Sequence, residues 1–269
     1  MKSNTYLEQP SLTYNHKTLL SAHGPSTSLS HSSVPAVHAL YGDAGRACTI
    51  KTRSVDSNTD GVADEFLLTY TLPIKSGESV TKVDAVIFFQ AMLKGRAKIV
   101  METPVHISYD SGLPGKGLYT AGVAGFKQMA ALPVKGGYTT LYADEPAFGT
   151  ESATSVHGST VAGVLSSVAG RNFTTAYEPL HQHWSVGEAE GGDFVIEARI
   201  RIPQAEILYV PTATEVLRDA WTKYLAMFLV VGFFLEKLCS FVYFHQIVET
   251  KMLVETVGSQ VGVPHFKKF

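Results

Sequence analysis

A long apolar run near the C-terminus constrains this chain more than any other feature of its sequence. The run extends over 21 residues, from Tyr224 to Phe244, and only the adjacent pair Glu236 and Lys237 interrupts it with charge. At about 1.5 Å per helical residue, it would form a helix roughly 31 Å long, which matches the hydrocarbon core of a bilayer. We therefore predict a membrane-proximal and transmembrane α-helix at 213–245. The alternative is a buried helix of a soluble domain, because the uncharged stretch before the pair has only 12 residues.

The charged pair predicts that this helix does not lie alone in lipid. A charge near the middle of a bilayer costs about 2.5–3.5 kcal/mol on insertion scales, and the preceding apolar residues contribute roughly 4–7 kcal/mol in the opposite direction. Lys237 has a long stem that can reach towards the head groups. Glu236 is shorter, so we expect it to face a partner helix. Both residues are assigned to an intramembrane partner contact.

The residues before the helix show the two-residue periodicity of β-strands. Apolar side chains alternate at 66–74, 83–93 and 194–202, and 98–109 is a further candidate strand. The segment 83–93 is apolar on both faces, which is typical of a strand in the middle of a sheet.

This pattern predicts a mainly β fold. The expected architecture is one antiparallel β-sandwich-like extracellular domain at 1–212, then the transmembrane helix, then a short cytoplasmic tail at 246–269. No helical pattern of useful length precedes residue 212, and the polar segment 26–35 indicates a loop.

Composition excludes several classes of protein. Charged residues make up only 17% of the chain, aromatic residues make up 10%, and the net charge is -2, so the chain is not disordered throughout. With a pI near 6.5 it has no bulk attraction for phosphate, and we predict no nucleic-acid partner. Cys48 and Cys239 are the only cysteines, and Cys239 lies within the apolar run, so a disulfide scaffold is also excluded.

The segment from Asp56 to Asp64 carries the sharpest chemical motif. Its pattern, D-x-N-x-D-G-x-x-D, matches the first nine positions of an EF-hand calcium loop. Position 12 is Leu67 instead of the bidentate glutamate, so a regular EF-hand is excluded and we expect weak calcium binding. The alternative is an Asx-rich turn that leads into the strand at Phe66. The predicted ligands are Asp56, Asn58, Asp60, the backbone carbonyl of Val62 and Asp64.

Two signs indicate how the chain is oriented in the membrane. Asn172-Phe173-Thr174 is an Asn-X-Thr sequon that precedes the apolar run. Three lysines follow the run, against two basic residues that closely precede it, which slightly favours a cytoplasmic C-terminus. We therefore predict an N-glycan on Asn172, an extracellular or lumenal N-terminal domain and a cytoplasmic tail.

Enzyme signatures are absent from this sequence. It contains no H-E-x-x-H, G-x-S-x-G, phosphate-binding G-x-x-x-x-G-K-[ST] or G-x-G-x-x-G arrangement. His181 and His183 would share one face of a strand, but no third metal ligand is recognisable beside them except Glu178. We predict no catalytic residue, no enzymatic activity and no cofactor other than calcium.

Several segments, taken in order along the chain, resemble the transmembrane protein 231 family. The resemblance is patchy from about residue 6 to 250, is sparse between 90 and 165, and depends on the shared order of the segments. The N-terminal ones are Glu8-Gln9-Pro10 with His16 and Leu19-Leu20, Asp56 to Asp64 with Leu72-Pro73, and Arg171 to Thr175. The C-terminal ones are Trp184 with Val186-Gly187, Phe194-Val195-Ile196, Ile200-Arg201, Ala220-Trp221 with Tyr224, Phe234-Leu235-Glu236-Lys237 and Gln246-Ile247-Val248.

The resemblance implies a structural role at the cilium. Members of this family are two-pass proteins with a large extracellular β-rich domain between two membrane helices. They belong to the Meckel syndrome, or tectonic-like, complex of the ciliary transition zone, which controls the entry of membrane proteins. The implied partners are other membrane and peripheral proteins of that complex and the lipid bilayer. This chain starts about where the family's first helix has ended, so that helix is either encoded upstream of Met1 or missing in this member.

Two functional hypotheses follow. The first is a non-enzymatic membrane component of the ciliary transition zone that contributes to the diffusion barrier and to cilium assembly. The second is a calcium-binding ectodomain of a single-pass adhesion or receptor protein without a ciliary link. The calcium motif and the sequon fit both hypotheses, and the resemblance favours the first.

Overall fold

The computed structural model describes residues 4–134, 136–144, 146–148, 160–187 and 192–245. The chain divides into two compact units, the first ending at Thr212 and the second beginning at Ala213. The first unit is built from β-strands and is called the β domain below. In chain order its strands are β1 Asn4–Glu8, β2 Ser11–His23, β3 Ser28–Ser32, β4 Thr49–Val55, β5 Glu65–Pro73, β6 Lys82–Leu93, β7 Ile99–Asp110, β8 Gly115–Gln128, β9 Leu132–Pro133, β10 Thr139–Leu141, β11 Phe173–Val186, β12 Asp193–Arg201 and β13 Ala205–Val210.

These strands form three sheets. Sheet I has the order β10-β7-β6-β2-β3, sheet II has the order β11-β8-β12-β5-β4, and the small sheet III has the order β1-β13-β9. Most neighbours are antiparallel, as in the register from Phe66 opposite Ile200 to Leu72 opposite Phe194. Three pairs are parallel: β10 with β7, β12 with β8 and β13 with β9. The mainly β prediction is confirmed, with parallel pairs added to the antiparallel arrangement.

The main core of the β domain is made by the apolar faces of the predicted strands. Strands β5, β6 and β12 each contribute alternate side chains that are almost completely buried. Phe66 of sheet II contacts Phe89 of sheet I with ring centroids 5.1 Å apart, so the two large sheets share one core. The two-residue periodicity in the sequence therefore marks the inward faces of the strands.

A second, smaller core explains why β6 is apolar on both sides. Val86 and Phe88 point away from the main core and are fully buried beside the helix α2, Val161–Ala169. The ring of Phe88 stacks on that of Phe148, with centroids 5.2 Å apart. Strand β6 is the third of five in its sheet, as its two apolar faces predict.

Two expectations about local structure are wrong. The segment 26–35, expected to be a loop, contains β3, which pairs with β2 from Ser28 opposite His23 to Ser32 opposite Leu19. The region before residue 212 also contains the short helices α1, Pro35–Ala39, and α2, and a 3-10 helix at Gly42–Ala44. Helix α2 has nine residues and is capped by Thr160, whose hydroxyl accepts a hydrogen bond from Gly163 N at 3.1 Å.

The described part of the second unit, 213–245, forms one long helix, α3, at Ala213–Phe244. Its most apolar window of 18 residues has a mean hydropathy of 2.0, and none of that window is buried. The core helix of a soluble domain would bury such side chains. The prediction of an apolar C-terminal helix suited to spanning a membrane is therefore confirmed. The predicted tail at 246–269 lies outside the described residues.

Candidate functional site

The loop from Asp56 to Asp64 connects β4 with β5 and is organised by its own carboxylates. Gly61 N donates a hydrogen bond to Asp56 Oδ2 at 2.9 Å, and Val62 N donates one to Asp60 Oδ1 at 2.8 Å. Gly61 has a φ of +81°, a conformation that glycine adopts without strain. The five predicted ligand residues thus lie in one tight turn whose acidic oxygens face backbone N–H groups.

This arrangement has the hydrogen bonds of an Asx-rich turn. Asn58 Oδ1 accepts a hydrogen bond from Asp60 N at 3.1 Å, and Asp64 Oδ2 accepts one from Ser57 N at 2.8 Å. Within the described ranges, no three His, Cys, Asp or Glu side chains are grouped as a metal ion requires. Calcium binding by this loop stays a prediction, and its test distinguishes it from the plain turn.

We expect calcium to raise the melting temperature of the full-length protein reversibly. Three carboxylates within nine residues repel one another, and a divalent cation relieves that repulsion. At ten times its Kd, calcium would stabilise the fold by about 1.4 kcal/mol. The measurement is thermal unfolding followed by tryptophan fluorescence, with millimolar calcium and then with chelator.

The matched variants for this test are Asp60→Asn and Asp43→Asn. The first keeps an oxygen that can accept from Val62 N but removes one charge, so it should abolish the calcium effect. The second alters an exposed aspartate outside the loop and should respond to calcium as the parent does. A parental melting curve unaffected by calcium would identify the loop as a plain turn.

The N-terminal segment of the family resemblance contacts this same loop. Gln9 Nε2 donates a hydrogen bond to Asp64 Oδ1 at 2.9 Å, although the residues are 55 positions apart. Together with Ser57 N, this hydrogen bond lowers the pKa of Asp64 below its ordinary value. Glu8 Oε1 accepts from Lys94 N at 2.6 Å and from Gly95 N at 2.9 Å. The Glu8-Gln9 pair therefore connects the loop before β5 with the turn between β6 and β7.

The segment Arg171 to Thr175 combines two buried anchors with the exposed sequon asparagine, Asn172. Arg171 is buried, donates from Nη1 to Glu102 O at 3.1 Å and lies over the ring of Tyr142 at 4.5 Å. Thr175 donates from its backbone N to Thr103 Oγ1 at 2.8 Å. Between these anchors, Asn172 is exposed immediately before β11. The sequon asparagine is thus held at a fixed position on the surface.

Trp184 closes one end of the shared core. Its ring stacks on Tyr109 with centroids 5.3 Å apart and lies 5.4 Å from Phe194, and its Nε1 donates to Leu113 O at 3.1 Å. Gly115 leaves no room for a side chain here, because an added Cβ would lie 2.3 Å from the Trp184 ring. Sheets I and II therefore meet at a tryptophan that is held by stacking, a hydrogen bond and a glycine.

Glu236 and Lys237 lie on α3 and are exposed. Lys237 Nζ lies 5.5 Å from the centroid of the Phe233 ring, four residues earlier. Gly232 and Ser240 each lie four positions from Glu236, so the three share one face of the helix. The side chains one turn before and one turn after Glu236 are therefore small, which lets the backbone of another helix approach this face closely.

The two histidines of β11 that were considered as metal ligands are surface residues. His181 and His183 are exposed positions of β11, opposite Ala121 and Tyr119 respectively. The part of the chain that the structure describes holds no metal-ligating group of three around them.

A group of polar side chains on the outer face of sheet I was not predicted from the sequence. Ser21, Asp84 and Ser108 lie opposite one another on three adjacent strands, and His106 Nε2 lies 3.5 Å from Asp84 Oδ1. The only signal in the sequence is a charged residue inside the otherwise apolar segment Val83 to Phe89.

The fold and the exposed apolar helix define a class: a membrane protein with a folded β domain before its C-terminal helix. A family model described as transmembrane protein 231 matches residues 1–252. The chain therefore belongs to the transmembrane protein 231 family.

Individual relatives agree with this assignment. Transmembrane protein 231 of Xenopus tropicalis is 31% identical over 254 residues, which cover 93% of this chain and 80% of the relative. The protein of the same name from Homo sapiens is 31% identical over 253 residues, covering 93% of this chain and 79% of the relative. These similarities give no support to the adhesion or receptor hypothesis.

Proposed function

We propose that this chain is a structural component of the ciliary transition zone. In that role it belongs to the tectonic-like, or Meckel syndrome, complex and contributes to the diffusion barrier that controls which membrane proteins enter the cilium. The observation that carries this proposal is membership of the transmembrane protein 231 family over residues 1–252. The β domain and the apolar helix α3 supply the membrane architecture that such a role needs.

The proposed role is non-enzymatic and depends on contacts with other proteins and with lipid. In the membrane, Glu236 would face a helix of another complex member, because a carboxylate is costly to leave in lipid unpaired. Gly232 and Ser240 support this, since small residues let two helix backbones approach closely. Lys237 would reach towards the head groups.

In this proposal the β domain is extracellular and the C-terminus is cytoplasmic. The exposed position of Asn172 supports this orientation, because glycosylation requires an accessible sequon on the lumenal side. The buried neighbours Arg171 and Phe173 hold that asparagine at the surface.

We expect Asn172 to carry an N-glycan in cells. Asn172→Gln should increase electrophoretic mobility, and endoglycosidase treatment of the parent should produce the same shift. Thr174→Ser is the matched control, because it keeps the sequon and should keep the slower mobility. A parental band unaffected by the enzyme would contradict the proposed orientation.

Localisation in ciliated cells tests the proposed function directly. A fluorescently tagged full-length protein should concentrate at the ciliary base, between the basal body and the ciliary membrane. Cells that lack the protein should let membrane proteins normally excluded from the cilium enter it. A uniform distribution over the plasma membrane, with a normal ciliary membrane in the deficient cells, would refute the role.

A further inference from the structure

A cleft lies on the outer face of sheet I, away from the core that the two large sheets share. Its volume is about 550 Å³, within the range typical of small-molecule sites. The floor includes Ser21, Asp84 and His106, which belong to the adjacent strands β2, β6 and β7. The walls are the segment after α1, with Leu40 and Tyr41, and the first turns of α2.

The floor holds a half-buried carboxylate with room for another hydrogen bond. Asp84 Oδ1 lies 3.5 Å from His106 Nε2, and Oδ2 lies 3.7 Å from Lys82 Nζ. Both distances exceed the 2.7–3.2 Å of an ordinary N–H···O hydrogen bond, and Ser108 is a further hydrogen-bond partner of this carboxylate. A carboxylate can accept about four hydrogen bonds, so Asp84 retains capacity for another donor. The floor therefore offers an acceptor to a donor that enters the cleft.

The ionised form of Asp84 is favoured although the group is partly buried. Burial raises the pKa of this carboxyl group, but His106, Ser108 and Lys82 outweigh that effect and hold the pKa below its ordinary value. The Asp84 carboxyl group is therefore ionised at neutral pH, with Lys82 and His106 beside it.

The walls are mainly apolar. Leu40 is 48% exposed, and Val161 and Leu165 are half-buried on the facing side of the cleft. Burial raises the pKa of Tyr41 to about 12, so its phenol is neutral. A molecule between these walls would remove apolar surface from water, with its polar end at Asp84.

We propose that this cleft binds a small, largely apolar molecule whose one polar group donates a hydrogen bond to Asp84. A hydroxyl group fits best, because it can donate to the carboxylate and also interact with the His106 imidazole. An anionic head group would be repelled by Asp84, and a purely apolar molecule would leave the floor without a donor. The proposed ligand is therefore a small molecule that has an apolar body and one hydrogen-bond donor group.

The test uses the full-length protein in lipid nanodiscs and three photoreactive probes. Each probe is a 12-carbon chain with a diazirine at its centre, and its end is a hydroxyl, a methyl or a carboxylate group. After irradiation, mass spectrometry measures the label on peptides that contain residues 34–41 and 160–170. At concentrations below saturation, the alcohol should label these peptides at least about tenfold more than the other two probes, the gain expected from a hydrogen bond to a charged group.

Variants separate this site from general attachment to apolar surface. Ala162→Trp fills the cleft from an exposed position of α2 and should abolish the selective labelling. Ser167→Trp places the same side chain at an exposed position of α2 that does not line the cleft and lies about 140° around the helix from Ala162, so it should leave labelling unchanged. Asp84→Asn should reduce the preference for the alcohol over the carboxylate, and thermal melts confirm that each variant is folded. Equal labelling by all three probes, or alcohol labelling that persists in folded Ala162→Trp, overturns the proposal.

Discussion

Trp184→Ala should lower the melting temperature of the β domain by about 6–20 °C. Replacing a buried tryptophan with alanine costs about 3–5 kcal/mol, and each kcal/mol shifts the melting temperature of a domain this size by about 2–4 °C. The variant loses the stacking on Tyr109, the contact with Phe194 and the hydrogen bond to Leu113 O. Circular dichroism of the full-length protein measures the change. The exposed Trp221 is the matched control, and Trp221→Ala should leave this transition unchanged.

A second substitution shows whether the effect belongs to this contact. Gly115→Ala should itself destabilise the domain by about 1–3 kcal/mol, because the new methyl group overlaps the Trp184 ring. In the Trp184→Ala background that overlap is gone, so Gly115→Ala should cost little. Strongly non-additive effects are therefore expected. Simple additivity would contradict the packing described at this end of the core.

Glu236→Leu should leave membrane insertion intact or improve it, yet weaken assembly with partner proteins about threefold to thirtyfold. Removing a charge from lipid favours insertion. Losing one interhelical hydrogen bond costs the partner contact roughly 0.6–2 kcal/mol. Quantitative co-purification of complex partners from ciliated cells measures assembly, and imaging of the tagged variant measures enrichment at the ciliary base.

Neighbouring variants on the same helix define what Glu236 does. Lys237→Leu should reduce assembly less, because adjacent helical residues point about 100° apart. Gly232→Leu should reduce assembly by blocking the close approach of a partner helix on the Glu236 face. If Glu236→Leu assembles and localises as the parent does, the residue is a tolerated charge and the partner contact lies elsewhere.

The strands and the membrane helix were predictable because their signals are local. Period-2 alternation at 66–74, 83–93 and 194–202 marks the strands β5, β6 and β12, whose inward side chains form the shared core. The 21-residue apolar run from Tyr224 to Phe244 lies within α3. In each case, a pattern of a few neighbouring residues indicates whether a side chain faces the protein core, water or lipid.

Other elements escaped prediction because their stabilisation comes from distant parts of the chain. Strand β3 is rich in serine and histidine, and it forms because β2 offers a free edge with which it pairs from Ser28 to Ser32. Helix α2 is short, and its stability comes from packing Val164 and Val168 beside Phe88 of β6. Neither neighbour is visible in the local sequence.

The candidate sites also differ in whether they depend on local sequence or on contacts between distant residues. The sequence by itself determined the acidic turn at 56–64, the sequon at Asn172 and the charged pair in the apolar helix, since each depends on residues adjacent in the chain. Only the tertiary structure decided that Gln9 contacts Asp64, and that Ser21, Asp84 and His106 share the floor of one cleft. Those groupings depend on strand order and register, which are set by long-range burial and backbone pairing and not by local propensity.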